Sequence, residues 1–316
     1  MNAANQTFTL FNLLMKNHVR EFYDTIGWSR VGDGLYQNAR YEDLRPVSQE
    51  YIHNCHLRVK RHLAPTGKYL LDAGSGPIQY PEYLTYSEGY RYRVCADISI
   101  TALREARKKI GGHGLYVVAD IANLPFKTGV FDGVVSLHTI HHLPLEEHPR
   151  AYAGLHRVLA AGRAAVVVNG WSRSPLMDPF RALSRLRKRA WLFARKVLRG
   201  RGTGDGGPGT RDRGPGTGDR GLNTEHRKLN TVLRPPSPKN TFVEKHDPAW
   251  FKRTIAPQIP AEILVWRAAS VHFLKNYIHE HRGGRRILRL LYRLEERFPR
   301  WFGEKGTYPL IVIRKA

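Results

Sequence analysis

Three aspartates stand where apolar segments of the sequence end. Asp72 closes the run that begins at Tyr69, and Asp97 and Asp120 close the next two runs. The intervals are 25 and 23 residues, about one strand–helix–strand unit each. Successive strands of a parallel sheet end along one edge, where such folds bind ligands. Three carboxylates there suit a ligand with hydroxyls, an amine and positive charge, rather than a pyrophosphate.

Helix capping is the alternative role for each aspartate taken alone, because aspartate commonly begins a helix after a strand. Gly74 and Gly76 follow the first aspartate and let the backbone turn tightly. A dinucleotide fingerprint needs a third glycine where Gln79 stands, and no Gly-Lys-Ser/Thr of a phosphate-binding loop follows. The matched spacing favours a binding edge over three independent caps.

Five ordered segments of the chain resemble class I S-adenosylmethionine-dependent methyltransferases, of the small-molecule, type 11-like kind. They begin with the Asp-Ala-Gly-Ser-Gly-Pro turn and extend over residues 69–170. The others are Ala96-Asp97-Ile98-Ser99, Ala119-Asp120-Ile121-Ala122, Phe131-Asp132-Gly133-Val134-Val135-Ser136-Leu137-His138, and Leu155-His156-Arg157-Val158-Leu159 with the apolar run after it. The sequence departs from the family pattern Asp-x-Gly-x-Gly-x-Gly at Ile78.

The resemblance implies an α/β fold: a Rossmann-like, doubly wound, seven-stranded sheet, mostly parallel with an antiparallel last strand. A helical N-terminal lid and C-terminal insertions would surround it. The implied cofactor is S-adenosyl-L-methionine, its methionine part held by the turn after Asp72. Asp97 would bind the ribose hydroxyls and Asp120 the adenine amine. The cofactor-binding residues implied are Asp72, Gly74, Ser75, Gly76, Asp97, Ile98, Asp120, Ile121 and Leu137.

Histidines after the fourth predicted strand are the candidates for a catalytic base, because neutral imidazole can accept a proton near neutral pH. We expect His138 or His141 in this role, while a histidine near His142 is widespread in the family and argues for a structural role there. No metal site is expected, because the histidines and the two cysteines lack the paired spacing of a zinc site.

Positive charge is concentrated towards the C-terminus. Residues 172–316 contain 32 of the 51 Lys and Arg but 12 of the 27 Asp and Glu, which is +20 of the total +24. Within this region, 180–198 has apolar residues at helical spacing among basic ones, a pattern typical of a helix on an anionic membrane. An ordinary surface helix and contact with RNA are the alternatives.

The composition and the resemblance together predict five regions in the chain. They are a helical lid over 1–60, the cofactor-binding core over 61–171, a basic amphipathic helix over 172–199, a flexible Gly/Pro/Arg linker over 200–240, and the remaining sheet with a helical insertion over 241–316. Ten glycines between 200 and 221 predict the linker, because such composition buries too little apolar surface to order.

The predicted function is methyl transfer to a small, partly lipophilic acceptor. Methylation of base amines usually depends on an Asn/Asp-Pro-Pro-Tyr/Phe segment, which residues 136–140 lack. An RNA methyltransferase that uses the basic C-terminal half, and a non-catalytic S-adenosylmethionine-binding protein, are the alternatives. With no signal peptide pattern and no apolar run of membrane-spanning length, we expect a cytoplasmic protein with peripheral membrane contact.

Overall fold

The computed structural model describes residues 3–30, 36–37, 42–200 and 241–316. Almost all of the predicted linker, residues 201–240, lies outside the described residues. The chain forms two compact units: residues 1–181 together with 241–316, and residues 182–240. The first unit contains the whole sheet. Among the helices described, none is both long and apolar enough to cross a membrane.

A single seven-stranded sheet forms the centre of the first unit, in the order β3-β2-β1-β4-β5-β7-β6. The strands are β1 (Gly67–Ala73), β2 (Tyr90–Asp97), β3 (Gly114–Val118), β4 (Gly133–Leu137), β5 (Ala164–Val168), β6 (Ala261–Arg267) and β7 (Tyr308–Arg314). β7 runs antiparallel to both of its neighbours, and the pairs among β1 to β5 are parallel. The predicted fold class and its antiparallel last strand are confirmed.

Helices precede the sheet and connect its strands. They are α1 (Ala3–Phe22), α2 (Pro46–Leu57), α3 (Pro81–Leu84), α4 (Ile100–Ile110), α5 (His148–Val158), α6 (Asp178–Gly200), α7 (Pro248–Thr254), α8 (Val271–Tyr277), α9 (Gly284–Arg297) and α10 (Pro299–Lys305). A π-helical turn, Tyr23–Gly27, continues α1. The insertion between β6 and β7 therefore consists of three helices.

Both faces of the sheet are buried, which explains the continuous apolar runs of its central strands. All five residues of β5 are buried, and so are the last four of β1. Leu71, Val134 and Val167 belong to the hydrophobic cluster on one face, while Leu70 and Val166 belong to the cluster on the other. Alternate side chains of each strand thus anchor opposite helical layers.

The insertion packs against the N-terminal part of the chain through a buried carboxylate. Glu295 of α9 is fully buried and accepts hydrogen bonds from the Tyr51 hydroxyl at 2.6 Å and from Arg58 Nη1 at 2.9 Å. The backbone N–H of Ala268, just after β6, donates to the same carboxylate at 2.8 Å. One side chain therefore ties together α2, α9 and the end of β6.

A second buried ion pair joins the neighbouring strands β1 and β2 near the carboxyl edge of the sheet. The Nε of Arg93 on β2 donates to Asp72 Oδ2 of β1 at 3.1 Å, and its Nη2 donates to the same oxygen. Arg93 Nη1 also donates to the carbonyl of Tyr83. Both ionic side chains are almost completely buried. The pair holds the end of β1 in register with β2.

We expect Arg93→Met to destabilise the fold by about 3–5 kcal/mol, because it leaves the Asp72 carboxylate buried without a partner. Urea unfolding followed by circular dichroism measures the change. The double variant Asp72→Asn/Arg93→Met should recover a large part of the loss, since it removes the uncompensated charge as well. Equal stability of Arg93→Met and the unaltered protein would contradict a structural role for the pair.

Candidate functional site

The turn after β1 has an unusual backbone that brings three elements together. Gly74 and Gly76 have φ of 78° and 55°, which favours glycine. The N–H of Gly74 donates to the Ala96 carbonyl at 2.7 Å, so the turn stays attached to β2. A Cβ on Gly74 would lie 2.2 Å from the Thr139 side chain, which follows β4. The first glycine is therefore required for close packing of the β1 and β4 ends.

Ile78 adopts the backbone conformation of the glycine that it replaces in the family pattern. Its φ is 53°, which costs a β-branched residue on the order of 1–2 kcal/mol. The side chain is 1% exposed and packs with Val59, Tyr83 and Leu103, so its burial offsets the strain. The departure seen in the sequence thus leaves the left-handed turn in place.

Asp97 lies directly over this turn at the end of β2. Its Oδ2 accepts the N–H of Gly76 and its Oδ1 accepts the N–H of Ser99, both at 2.8 Å. Burial raises the pKa of Asp97 to about 6, against the lowering effect of these two hydrogen bonds. Each carboxylate oxygen has a second lone pair that can accept a further hydrogen bond. The geometry suits hydroxyl donors, as predicted for a ribose.

Asp120 serves as a cap and also pairs with the N-terminal helix. Its Oδ1 accepts the N–H of Ala122 at 2.9 Å, so it caps the short turn after β3. Its Oδ2 accepts from Asn123 Nδ2 at 2.8 Å and from Lys16 Nζ at 2.7 Å. Lys16 of α1 also forms an ion pair with Glu147. Lys16 of the lid therefore contacts the carboxylate of Asp120, which was predicted to accept a hydrogen bond from the adenine amine.

The lid also covers the glycine turn with aromatic rings. Tyr23 and Trp28 stack at 5.0 Å between ring centres, and a Cβ on Gly76 would lie 3.2 Å from the Trp28 ring. Asp24 Oδ1 accepts from the Ser99 hydroxyl at 2.6 Å, which joins the π-helical turn to the start of α4. These contacts between distant parts of the chain place the lid across the ends of β1 and β2.

His142 is held from both sides of its ring. Its Nδ1 must donate to the Phe242 carbonyl, 2.7 Å away, because a carbonyl oxygen only accepts. Its Nε2 therefore accepts from the Tyr23 hydroxyl at 2.8 Å. Burial lowers the pKa of His142 to about 4, so the ring is neutral near pH 7. With both nitrogens engaged, His142 is suited to holding the lid rather than to accepting a proton.

His138 lies beside an aromatic wall and directly precedes Thr139, which packs on Gly74. Its φ of 57° is unusual for histidine, and its N–H donates to the Val168 carbonyl at 2.7 Å. Its ring centre lies 5.0 Å from that of Trp266 and 5.6 Å from that of Tyr308. Burial and the nearby Arg267 guanidinium lower the pKa of His138 to about 3. The ring is therefore neutral at physiological pH.

His141 lies 6.2 Å from His138 between ring centres. Its Nδ1 is 3.3 Å from Asn169 Oδ1, and burial together with neighbouring His142 keeps the pKa of His141 well below its usual range. Both candidate bases are thus neutral and adjacent. Of the two, His138 contacts the aromatic wall of Trp266 and Tyr308.

The remaining predicted residues lie along the same edge with differing exposure. Leu137 ends β4 and is half-buried, as is Ile98 after β2. Ile121 is buried in the hydrophobic cluster that includes Val94. The Ser75 hydroxyl donates to the neighbouring Gly76 carbonyl at 3.2 Å. The structure therefore brings the predicted cofactor-binding residues to one edge of the sheet. Among them, the Asp72 carboxylate is already paired with Arg93, and Gly74 and Gly76 contribute through their backbone conformation.

Sequence reasoning gave no site role to four side chains from outside the core segment. They are Lys16 of the lid, which pairs with Asp120, and Trp266, Arg267 and Tyr308 at the ends of β6 and β7. The one available signal was the arginine that ends the apolar run of β6. Nothing in the local sequence shows which strand ends are neighbours.

Comparisons with known proteins bear on the core segment and on the fold. Residues 71–167 match the model of a methyltransferase domain family. No curated protein matches the sequence at a significant level. A solved structure of geranyl diphosphate methyltransferase with GPP and sinefungin is 14% identical, with a TM-score of 0.50, over 96% of this chain and all of that one.

Two further solved structures are similar over different lengths. Geranyl diphosphate C-methyltransferase from Streptomyces coelicolor A3(2) is 13% identical over 96% of this chain and 98% of that one, with a TM-score of 0.48. Phosphoethanolamine N-methyltransferase 1 from Haemonchus contortus is 16% identical over 51% of this chain, with a TM-score of 0.42. This chain spans 34% of that protein's length, and about half of the length of some other similar structures.

The fold and the matched segment together define the class. The chain contains a methyltransferase domain over residues 71–167, and its sheet has the arrangement predicted for a class I S-adenosylmethionine-dependent methyltransferase. The residues of this structure fit S-adenosylmethionine: a left-handed glycine turn lies below Asp97, whose oxygens retain lone pairs for hydroxyls. The predicted fold and methyltransferase domain are confirmed, and these findings support the predicted enzyme type and cofactor.

We expect the affinity for S-adenosylmethionine to rise between about pH 5 and pH 7, because the ionised Asp97 carboxylate, with its pKa near 6, is the form that accepts from hydroxyls. Calorimetric titration at several pH values measures this, with NAD as the control ligand. Asp97→Asn should bind about tenfold or more weakly at pH 7 and lose the dependence. Unchanged affinity in this variant would remove Asp97 from the binding site.

Proposed function

We propose that this protein transfers a methyl group from S-adenosylmethionine to a small, partly lipophilic acceptor by in-line displacement. The observation that carries the proposal is the position of His138. The next residue, Thr139, packs on Gly74 of the cofactor turn, while the His138 ring packs on Trp266 and Tyr308. An acceptor against these two aromatic rings would therefore lie beside the methyl-donating end of the cofactor.

When bound, S-adenosylmethionine supplies an electrophilic methyl carbon attached to a positively charged sulfur. The protein's own part is to bind, to align and to exclude water. Alignment of this kind lowers a barrier by several kcal/mol. Tyr23 of the lid is held by its hydrogen bond to His142, and Trp28 stacks on Tyr23. Together these two rings would exclude water from the turn. For a hydroxyl or carbon acid, neutral His138 is the group placed to accept the proton.

Peripheral contact with an anionic membrane is the second part of the proposal. α6 exposes large apolar side chains along its length: Leu183, Leu186, Trp191, Leu192 and Phe193 are 47–70% exposed. Basic residues surround them, among them Arg187, Lys188, Arg189 and Arg195. An amphipathic helix with an apolar aromatic face and a basic polar face is suited to the interface of anionic lipids.

A similar surface lies on α9 and α10 in the unit that contains the sheet. Ile287, Leu290, Leu294, Phe298 and Trp301 recur at helical spacing and are each 40–58% exposed. The exposed arginines beside them include Arg286, Arg293 and Arg297, for which the described residues contain no carboxylate partner. This arginine-rich ridge favours an anionic lipid surface over a second copy of itself, because two such ridges would repel each other.

We expect His138→Asn to lower the rate of methyl transfer by about 10²–10⁴-fold, because it removes the proton acceptor while asparagine tolerates the positive φ. The assay follows transfer of labelled methyl groups from S-adenosylmethionine into membrane-extracted small molecules, with RNA as the competing acceptor. Affinity for the cofactor should stay unchanged, and His281→Asn on the surface serves as control. Methylation of RNA alone would replace the small-molecule proposal, and failure to transfer to any acceptor would favour a binding protein.

Vesicle sedimentation tests the membrane contact. We expect the protein to pellet with vesicles of phosphatidylcholine and phosphatidylglycerol, and much less with phosphatidylcholine alone, since each basic residue near an anionic surface contributes about 1 kcal/mol. Trp191→Ser/Phe193→Ser tests α6, and Leu290→Ser/Phe298→Ser tests α9. If neither pair of substitutions reduces pelleting, these surfaces do not bind lipid.

A further inference from the structure

The side chain of Arg267, at the end of β6, is only partly used by the fold. It is 2% exposed, and its Nη1 donates to the carboxylate of Glu42 at 2.5 Å. Its Nε is buried and has no hydrogen-bond partner among the residues that the structure describes. A buried donor without a partner destabilises the fold, because it has lost its hydrogen bond to water and gained none in return. The fold therefore leaves the Nε–H of a buried guanidinium without a hydrogen-bond partner among the described residues.

Nε belongs to the Nε–Nη2 edge of the guanidinium, and five other arginines of this protein bind carboxylates through that edge. The Nε and Nη2 of one arginine both contact the same carboxylate at Arg93–Asp72, Arg45–Asp43, Arg289–Glu50, Arg285–Glu280 and Arg300–Glu262. The planar fork of guanidinium matches the two oxygens of a carboxylate or phosphate. At Arg267, no described residue supplies that oxyanion.

Two further buried polar atoms without a described partner belong to rings that contact each other. Trp266 Nε1 is one, on a side chain that is 1% exposed. The other is Nε2 of His56, whose ring stacks on Trp266 at 5.4 Å. The Arg267 guanidinium carbon lies 5.1 Å from the centre of the Trp266 ring and 4.7 Å from that of Tyr308. The unsatisfied groups are thus clustered.

This cluster borders the reacting centre of the proposed function. Trp266 and Tyr308, the two rings beneath Arg267, are the same rings that contact His138. Lys245 Nζ approaches the same region, since a Cβ on Gly170 would lie 2.9 Å from it and 3.6 Å from the Tyr308 ring. No described residue pairs a carboxylate with Lys245. Two cations, Arg267 and Lys245, therefore lie near the Tyr308 ring, and among the described residues only Arg267 has a carboxylate partner, Glu42.

We propose that the methyl acceptor carries an oxyanion, a carboxylate or a phosphate, and that the Nε–Nη2 edge of Arg267 binds it. This proposal rests on the proposed methyltransferase function and narrows its substrate class. Trp266 Nε1 supplies a second donor, and Lys245 supplies the balancing charge. The walls of Trp266, Tyr308 and His138 accommodate an apolar or aromatic body next to that anion. An oxyanion bound to Arg267 would also offset the positive charge of this guanidinium, which disfavours protonation of the His138 ring.

Calorimetric titration of the full chain with small probes tests the proposal. The probes are benzoate, phenyl phosphate and the neutral isostere benzamide, each added with and without S-adenosylhomocysteine. We expect one of the two anions to bind about tenfold or more tightly than benzamide, and whichever binds better identifies the oxyanion. If both anions bind as weakly as benzamide, the proposal is wrong.

Arg267→Lys keeps the charge beside Glu42 but loses the planar edge. We expect it to weaken binding of the preferred anion by about tenfold, while the same change at the surface, Arg289→Lys, has no effect. Lys245→Met is a second variant that leaves the buried ion pair intact and should weaken binding several-fold. Anion binding that is unchanged in both variants would overturn the assignment. Binding of S-adenosylhomocysteine, measured in parallel, reports separately on the methyltransferase function.

Discussion

The backbone of the turn after β1 is the constraint on which the rest of the site depends. Positions 74, 76 and 78 all have positive φ, two of them as glycine and one as a strained, buried isoleucine. This conformation directs the N–H of Gly76 to Asp97 and brings Thr139 against Gly74. It also leaves room for Trp28 above the turn. The turn over residues 74–78 therefore positions the cofactor edge, the lid and the loop after β4.

Burial of ionisable groups gives the site its chemical character. Asp72 forms a buried ion pair with Arg93 and stabilises the fold. The Asp97 carboxyl, by contrast, has a pKa raised towards neutrality and can still accept hydrogen bonds from a ligand. The histidines after β4 are all held neutral by desolvation and by neighbouring positive charge. A neutral, partly aromatic site next to spare cationic donors differs from a nucleic-acid surface, whose positive charge faces the solvent.

Several features were predictable because they arise from local patterns. Continuous apolar runs ending in Asp72, Asp97 and Asp120 predicted parallel strands with acids at one edge, and the sheet confirms their arrangement. The capping alternative also describes Asp120, which caps a turn and pairs with Lys16 at the same time. The two roles coexist because a carboxylate has more than one accepting position. The basic helix at 180–198 was likewise visible as a periodic pattern.

The sequence by itself determined the fold class, the class of the domain and the three acids of the cofactor edge, because these follow from motifs within single strand–turn–helix units. Only the tertiary structure decided which distant residues complete the site. Lys16 reaches Asp120 across 104 residues, and Glu42 reaches Arg267 across 225. Such pairs depend on how the lid and the insertion pack, which periodicity does not encode. For the same reason, the Nε–H of Arg267, which no described residue accepts, is visible only when all of its neighbours are in place.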